Sequence, residues 1–250
     1  MKTILYSILL LTFLFTNPLK AQMTLDIESG AVFNTSNDVR VSGDKGTLFS
    51  LTDDLKTNST AFLRLRAGYK IQDRHTISLL YAPLTTKSEG RVGNDILFEG
   101  VLFNANTLLN GSYKFNSYRL TYRYDIVRNP KLIFGLGFTA KIRDASIRLS
   151  SKDQTSVKTN VGFVPIINFR LWWKPTEEFG ILLDGDALAA PQGRAEDIQL
   201  ALTYTISKNL GVRAGYRILE GGADNDEVYN FSLFHYASVG FTYTFKEKSK

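Results

Sequence analysis

The chain has 250 residues, a formal net charge of +6 and no cysteine. The basic excess is mild, and no long basic run carries interleaved aromatic residues, so the sequence gives no reason to expect nucleic-acid binding. Because no disulfide can form, some other feature must hold the fold together.

Residues 1–21 predict a cleaved secretory signal peptide. Lys2 supplies the positive start, and residues 4–15 form an apolar stretch that is too short to span a bilayer as a helix. Asn17 and Pro18 end this stretch, and Ala21 places a small residue before the expected cut. A retained N-terminal anchor is the alternative. The mature chain, 22–250, is expected to form a single domain.

Almost all of the mature chain alternates apolar and polar residues with a period of two, which predicts strands rather than helices. The connections between these segments alternate between short turns, such as 72–74, and longer loops, such as 34–58 and 87–112. An unusually apolar stretch, 96–111, either forms an extra hairpin or lid at the barrel mouth, or adds two strands to the barrel. Ten segments are predicted as strands: 24–33, 59–71, 75–86, 113–125, 131–150, 157–173, 179–189, 195–206, 210–220 and 231–245.

Alternation, short turns on one side and longer loops on the other indicate an all-β, antiparallel, up-and-down transmembrane β-barrel of about ten strands, with eight or twelve as alternatives. A mean hydropathy of −0.10 is compatible with such a barrel, since lipid-facing and lumen-facing residues alternate. A secreted soluble sandwich or lipocalin-like barrel is the rival fold. Aromatic residues at matching strand ends favour the membrane barrel, because they predict an interfacial girdle: Tyr69, Tyr124, Trp173, Tyr204, Tyr243 and Phe245.

The C-terminal strand, residues 239–245 (VGFTYTF), resembles the terminal strand of bacterial outer-membrane β-barrel proteins. The stretch 216–229 (YRILEGGADNDEVY) also resembles a motif of uncharacterised predicted outer-membrane proteins. The resemblance implies a porin-like small barrel in the outer membrane of a Gram-negative bacterium. It also implies recognition of the last strand by the barrel-assembly machinery, although this chain continues for five residues beyond Phe245.

Strand parity points many charged residues of both signs into the lumen. Such closely packed charges should form ion pairs, since an unpaired buried charge is costly. The same residues could instead line a narrow path for a polar solute. The predicted lumen network consists of Asp26, Glu28, Arg64, Arg66, Arg119, Arg123, Arg170, Asp184, Asp186, Asp197, Arg213 and Arg217, and parity adds Lys70, Lys141, Arg143, Asn168 and Gln199.

The chain offers weak candidates for catalysis. His235 lies near the acidic stretch 220–227, so a general base assisted by Glu220, Asp224 or Asp226 is conceivable. Ser238 is three residues from His235 and therefore points to the opposite face of a strand. The acidic stretch also lacks the spacing of an EF-hand calcium loop. No metal site and no cofactor are expected.

Above the membrane, basic residues on the longest predicted hairpin are placed to meet anionic lipid groups. They are Arg143, Arg148, Lys152 and Lys158. The expected partners are therefore outer-membrane lipids, including lipopolysaccharide. The favoured function is a non-enzymatic outer-membrane barrel with a charged, largely plugged lumen that interacts through its outer loops. The alternatives are a narrow channel for a small polar solute and a surface hydrolase acting on lipid A or peptides.

Overall fold

The computed structural model describes residues 21–190 and 193–245, without the side chains of Ala21 and Ala190. The predicted signal peptide lies outside these residues apart from Ala21, with which the first strand begins. The strands are β1 (Ala21–Val41), β2 (Phe49–Ser50), β3 (Lys56–Thr57), β4 (Thr60–Ile71), β5 (His75–Ala82), β6 (Thr85–Arg91), β7 (Ile96–Phe98), β8 (Val101–Phe103), β9 (Leu108–Arg128), β10 (Leu132–Ser150), β11 (Thr155–Trp173), β12 (Phe179–Ala190), β13 (Gly193–Thr205), β14 (Leu210–Asp224) and β15 (Val228–Phe245).

These strands form a closed antiparallel barrel, which confirms the predicted fold class. Each long strand pairs with its chain neighbour, β15 pairs with β1, and β9 pairs with both β5 and β10, so the ring has no free end. The β5–β6 pair counts as one barrel strand interrupted at Pro83, which gives ten. A continuous backbone ladder of this kind supplies the stability that disulfides cannot.

The eight- and twelve-strand alternatives are not realised, because the apolar stretch 96–111 does not cross the barrel. β7 and β8 form a separate two-stranded hairpin outside the barrel wall. Residues 108–111 of that stretch form the beginning of β9. Both β9 and β1 are longer than predicted. Between Asp224 and Val228 the expected outer loop shrinks to a turn, in which the Asn225 side-chain oxygen accepts hydrogen bonds from the backbone amides of Glu227 and Val228.

Side chains alternate between the outer surface and the lumen along each barrel strand. On β13, Leu200 and Leu202 are exposed on the outer surface, whereas Asp197, Gln199 and Ala201 are buried. The outer surface is therefore a broad band of exposed apolar side chains, and the lumen is polar. No helix in the described part of the chain is long and apolar enough to cross a membrane.

The end of the barrel with short turns, the turn end, differs from the opposite loop end. At the loop end, residues 42–58 and 92–107 fold over the barrel opening and form what we call the outer cap. Thr47 and Leu97 join its two segments by two hydrogen bonds of 2.9 and 3.0 Å. Phe49 and Phe98 of the cap pack edge to face within a buried apolar cluster. This packing fixes the cap to the inner faces of β1, β4, β9 and β15 above the polar lumen.

Candidate functional site

A network of ion pairs crosses the middle of the lumen, and we call it the ion-pair layer. Asp197 of β13 accepts from Arg64 of β4 at 2.9 Å, from Arg119 of β9 at 2.6 Å, and from Arg217 of β14. Arg64 and Arg119 reach Asp197 from the opposite wall of the barrel. The layer therefore spans the full width of the lumen, and it consists of Asp26, Glu28, Arg64, Arg119, Asp186, Asp197, Arg213 and Arg217.

Glu28 is the second centre of this layer. Arg217 binds it in a bidentate manner, with Nε–Oε1 at 3.0 Å and Nη2–Oε2 at 2.9 Å. Arg213 donates to Glu28 at 2.9 Å and also holds Asp26. Gln199 donates to Glu28 Oε1, which also accepts from Arg217, at 3.0 Å. Bidentate pairs and amide bonds of this kind satisfy the oxygens that burial removes from water.

Asp186 completes the layer. It accepts from Arg119 at 2.6 Å, from Thr139 at 2.7 Å and from the amide of Asn168 at 3.0 Å. The four carboxylates of the layer thus face four guanidinium groups, and its formal charge is zero. Fully satisfied networks of this kind are rigid.

A second, more basic cluster lies between the layer and the turn end. Asp184 accepts from Arg170 at 2.8 Å and from Arg66 at 3.1 Å, and Arg123 lies 3.8 Å away. Asp125, which was not among the predicted lumen residues, pairs with Arg123 and Arg128. It has the strand parity of Arg119 and Arg123, so extending the alternation by two residues would have identified it.

The lumen contains two cavities on opposite sides of the ion-pair layer. The turn-end cavity has a volume of 330 Å³ and is lined by basic residues including Arg66, Lys70 and Arg123. The loop-end cavity has a volume of 410 Å³ and is lined by Lys141, Phe163 and other residues. The ion-pair layer therefore separates the turn-end cavity from the loop-end cavity.

The structure brings the predicted lumen residues together, but their partners differ from those that adjacent strands suggest. Arg66 lies directly opposite Asp26 in the β1–β4 register, yet it forms its ion pair with Asp184 of β12. Long arginine side chains reach across the lumen rather than along the wall. The hydroxyl donors Thr139 and Thr242 were not predicted, since sequence alone does not show which carboxylate needs a further donor. Ser238, whose hydroxyl accepts from Gln199, was not predicted either.

The predicted girdle residues lie on the outer surface near the turn end. Register places Tyr69 and Phe245 on either side of Met23, and Phe179 opposite Tyr204. All six are more than one-third exposed: Tyr69, Tyr124, Trp173, Tyr204, Tyr243 and Phe245.

The structure does not bring the candidate catalytic residues together. His235 lies on the outer surface, where its Nδ1 contacts the Tyr216 hydroxyl and its Nε2 lies 2.8 Å from the Thr35 hydroxyl. Glu220 instead pairs with Arg194. Asp224 and Asp226 are exposed, and the partners of the His235 ring are Tyr216 and Thr35 instead. Both ring nitrogens of His235 thus contact hydroxyl groups rather than carboxylates.

The four basic residues of the β10–β11 hairpin separate into two pairs. Arg148 and Lys152 are exposed outside the barrel. Arg143 and Lys158 instead line the loop-end cavity, where Lys158 lies 3.5 Å from Glu99 and 3.7 Å from Glu227.

No protein-family model matches the sequence, and no curated protein matches it. Solved structures match the fold. The outer-membrane protease OmpT of Escherichia coli is 12% identical with a TM-score of 0.54, and the match covers 90% of this chain and 97% of that chain. The attachment invasion locus protein Ail of Yersinia pestis is 13% identical with a TM-score of 0.42, covering 91% and 100%. OprG of Pseudomonas aeruginosa is 10% identical with a TM-score of 0.39, covering 92% and 98%. At these identities the likeness is one of fold, that of the outer-membrane β-barrels.

Proposed function

We propose that this chain is a non-enzymatic outer-membrane β-barrel protein whose lumen is closed and whose interactions take place at the loop end and with surrounding lipid. The exposed apolar band supports a membrane location, since soluble proteins rarely carry apolar surfaces of this extent. The aromatic residues near the turn end fit a bilayer interface. The fold shared with outer-membrane barrels agrees with this location.

The observation that carries the closed lumen is the ion-pair layer. Asp197 and Glu28 each bind guanidinium groups from more than one strand, and the contacts cross the lumen. A hydrated ion would have to displace these short contacts in order to pass. Exposed Arg148 and Lys152 are available to lipopolysaccharide phosphates. The last strand, β15, is the proposed contact with the barrel-assembly machinery.

Planar-bilayer conductance of the refolded full chain tests this proposal. The unmodified protein is expected to give no steady conductance, whereas the double variant Arg213→Ala/Arg217→Ala should conduct, because it removes two guanidinium groups from the layer. Arg148→Ala, an exposed arginine outside the lumen, is the matched control and should remain silent.

Steady, salt-dependent conductance of the unmodified protein would contradict the closed lumen. It would favour the alternative function, a narrow channel for a small polar anion, which the basic turn-end cavity would attract.

A further inference from the structure

The barrel wall has an open strand edge between β11 and β12. Pairing of these strands runs from Trp173–Ile181 to Ile167–Ala187 and then ends. Residues 155–166 of β11 continue upward paired with β10 only, and Leu188 and Ala189 of β12 pair with β13 only. Pro165, which has no N–H to donate, lies on this edge. The β10–β11 hairpin thus extends further toward the loop end than the adjacent β12–β13 hairpin.

The lower part of the open edge lies within the apolar band. Phe163 of β11 points outward there and is 66% exposed, and its β10 partner Ile142 is exposed as well. From Val161 upward the edge rises beyond the band, since the β10 partner of Val161 is the outward-facing Asp144, which pairs with Lys114. An unpaired strand edge is not stable against lipid unless it borders a cavity or a bound group that satisfies it. We therefore expect a cavity or a bound group behind this gap.

Behind this gap lies the loop-end cavity. Phe163, Val164 and Pro165 of β11 form one side, and Leu188 of β12 and Ala195 of β13 form the other. The other interruption of the wall, where β4 and β5 stop pairing above Leu65–Tyr81, is packed shut and leaves only 10 Å³. The β11–β12 gap is thus an opening into a cavity of the size that holds a small ligand.

The interior of this cavity is cationic. Lys141 is 3% exposed, and no carboxylate in the described part of the chain lies within 4.0 Å of its ammonium group, which instead stands 4.9 Å from the Phe115 ring centroid. Arg143 beside it is half-buried; its Nη2 donates to Asn160 Oδ1 at 2.5 Å, and its buried Nε has no partner. Burying the Lys141 ammonium without a directly contacting anion is costly, so the cavity is electrostatically incomplete.

We propose that the loop-end cavity binds one single-chain amphipathic anion that enters sideways from the outer leaflet through the β11–β12 gap. Its carboxylate or phosphate head contacts Lys141 and Arg143, and its acyl chain passes between Phe163 and Leu188 toward the lipid. The volume of 410 Å³ suits one chain and excludes the head and several chains of a larger lipid. This inference rests on the proposed membrane barrel and names its ligand class.

The test uses the full chain in zwitterionic nanodiscs, with radiolabelled palmitate and lysophosphatidate as anionic probes and methyl palmitate as the uncharged one. At least one anionic probe should bind saturably. Methyl palmitate should bind at least about tenfold more weakly, because the loss of one charge-assisted hydrogen bond lowers affinity by about that factor. Preference for palmitate identifies a free fatty acid as the ligand, and preference for lysophosphatidate identifies a lipid phosphate.

Lys141→Met should weaken binding by about tenfold or more. Lys131→Met, at the exposed turn before β10, is the matched control and should leave binding unchanged. Val164→Trp, which fills the cavity without touching a charge, should also abolish binding. Equal binding by the unmodified protein and Lys141→Met, or no binding of either anion, would overturn the proposal. Heat-modifiable gel mobility in the same samples reports the inserted barrel, so loss of the barrel itself is distinguished from loss of the ligand.

Discussion

Replacing Asp197 by Asn should be the most damaging single charge change in the ion-pair layer. Asp197 is 2% exposed and accepts from three guanidinium groups, those of Arg64, Arg119 and Arg217. The amide keeps one acceptor oxygen but turns an N–H₂ group toward a guanidinium, and the neutral layer acquires one positive charge. Breaking a buried pair in this way costs roughly 3–5 kcal/mol of unfolding free energy.

The comparison variant is Arg217→Met, which removes a charge of the opposite sign from the same contact. Glu28 then keeps Arg213 and Gln199, and Asp197 keeps its other two arginines. Every carboxylate still has a partner, so the loss should be smaller, roughly 1.5–3 kcal/mol.

Both values can be measured by denaturant unfolding of the barrel in lipid vesicles, followed by tryptophan fluorescence. The exposed control Asp226→Asn should change the unfolding free energy by no more than about 0.5 kcal/mol. The reasoning fails if Asp197→Asn is tolerated as well as that control, or if Arg217→Met proves the more destabilising change.

Two further changes test the wall and the cap. Gly30→Ala should prevent or severely slow refolding, because Gly30 has a φ of +148° and an added Cβ would lie 2.0 Å from the Ala237 carbonyl oxygen. Gly93→Ala, with nothing within 4 Å, is the control, and equal refolding yields on gels would contradict the expectation. Phe98→Ala should remove roughly 3–5 kcal/mol of packing from the buried cluster and so open the outer cap while the barrel persists. Limited proteolysis should then cut within 92–107 more quickly, and an unchanged cleavage rate would argue against a separable cap.

The barrel could be predicted from the sequence because its signals are local. Period-two alternation and turn residues lie within each segment, so the ten strands and the inward parity of residues such as Asp197 and Arg213 follow from short windows. The strand ends were less predictable. β1 and β9 run well beyond the predicted 24–33 and 113–125, because at the loop end β1 pairs with β15 and β2, and β9 pairs with β6 and β10.

The features that distinguish this barrel depend on contacts between distant segments. The β11–β12 gap arises from unequal hairpin heights, which appear only when the register of both hairpins is known. The sequence shows Pro165 within the predicted strand 157–173, but not that it lies on an open edge. The cap likewise joins residues around Thr47 and Leu97, whose contact no periodicity reveals. The ion pairs across the lumen, such as Arg64–Asp197, likewise depend on contacts between strands that are distant in the sequence.

The register of the β12–β13 hairpin has a consequence for assembly of the barrel. Asp186 and Asp197 lie directly opposite each other on these adjacent strands, and like charges in that position repel. Arg217 on the adjacent β14 compensates Asp197 locally, but the other arginines, Arg119 on β9 and Arg64 on β4, are far away in the chain. The isolated hairpin is therefore electrostatically disfavoured, and its charges are fully balanced only when the ring closes. Partly assembled sheets are penalised, so insertion of this barrel should be a concerted, all-or-none event rather than a strand-by-strand accumulation of stable intermediates.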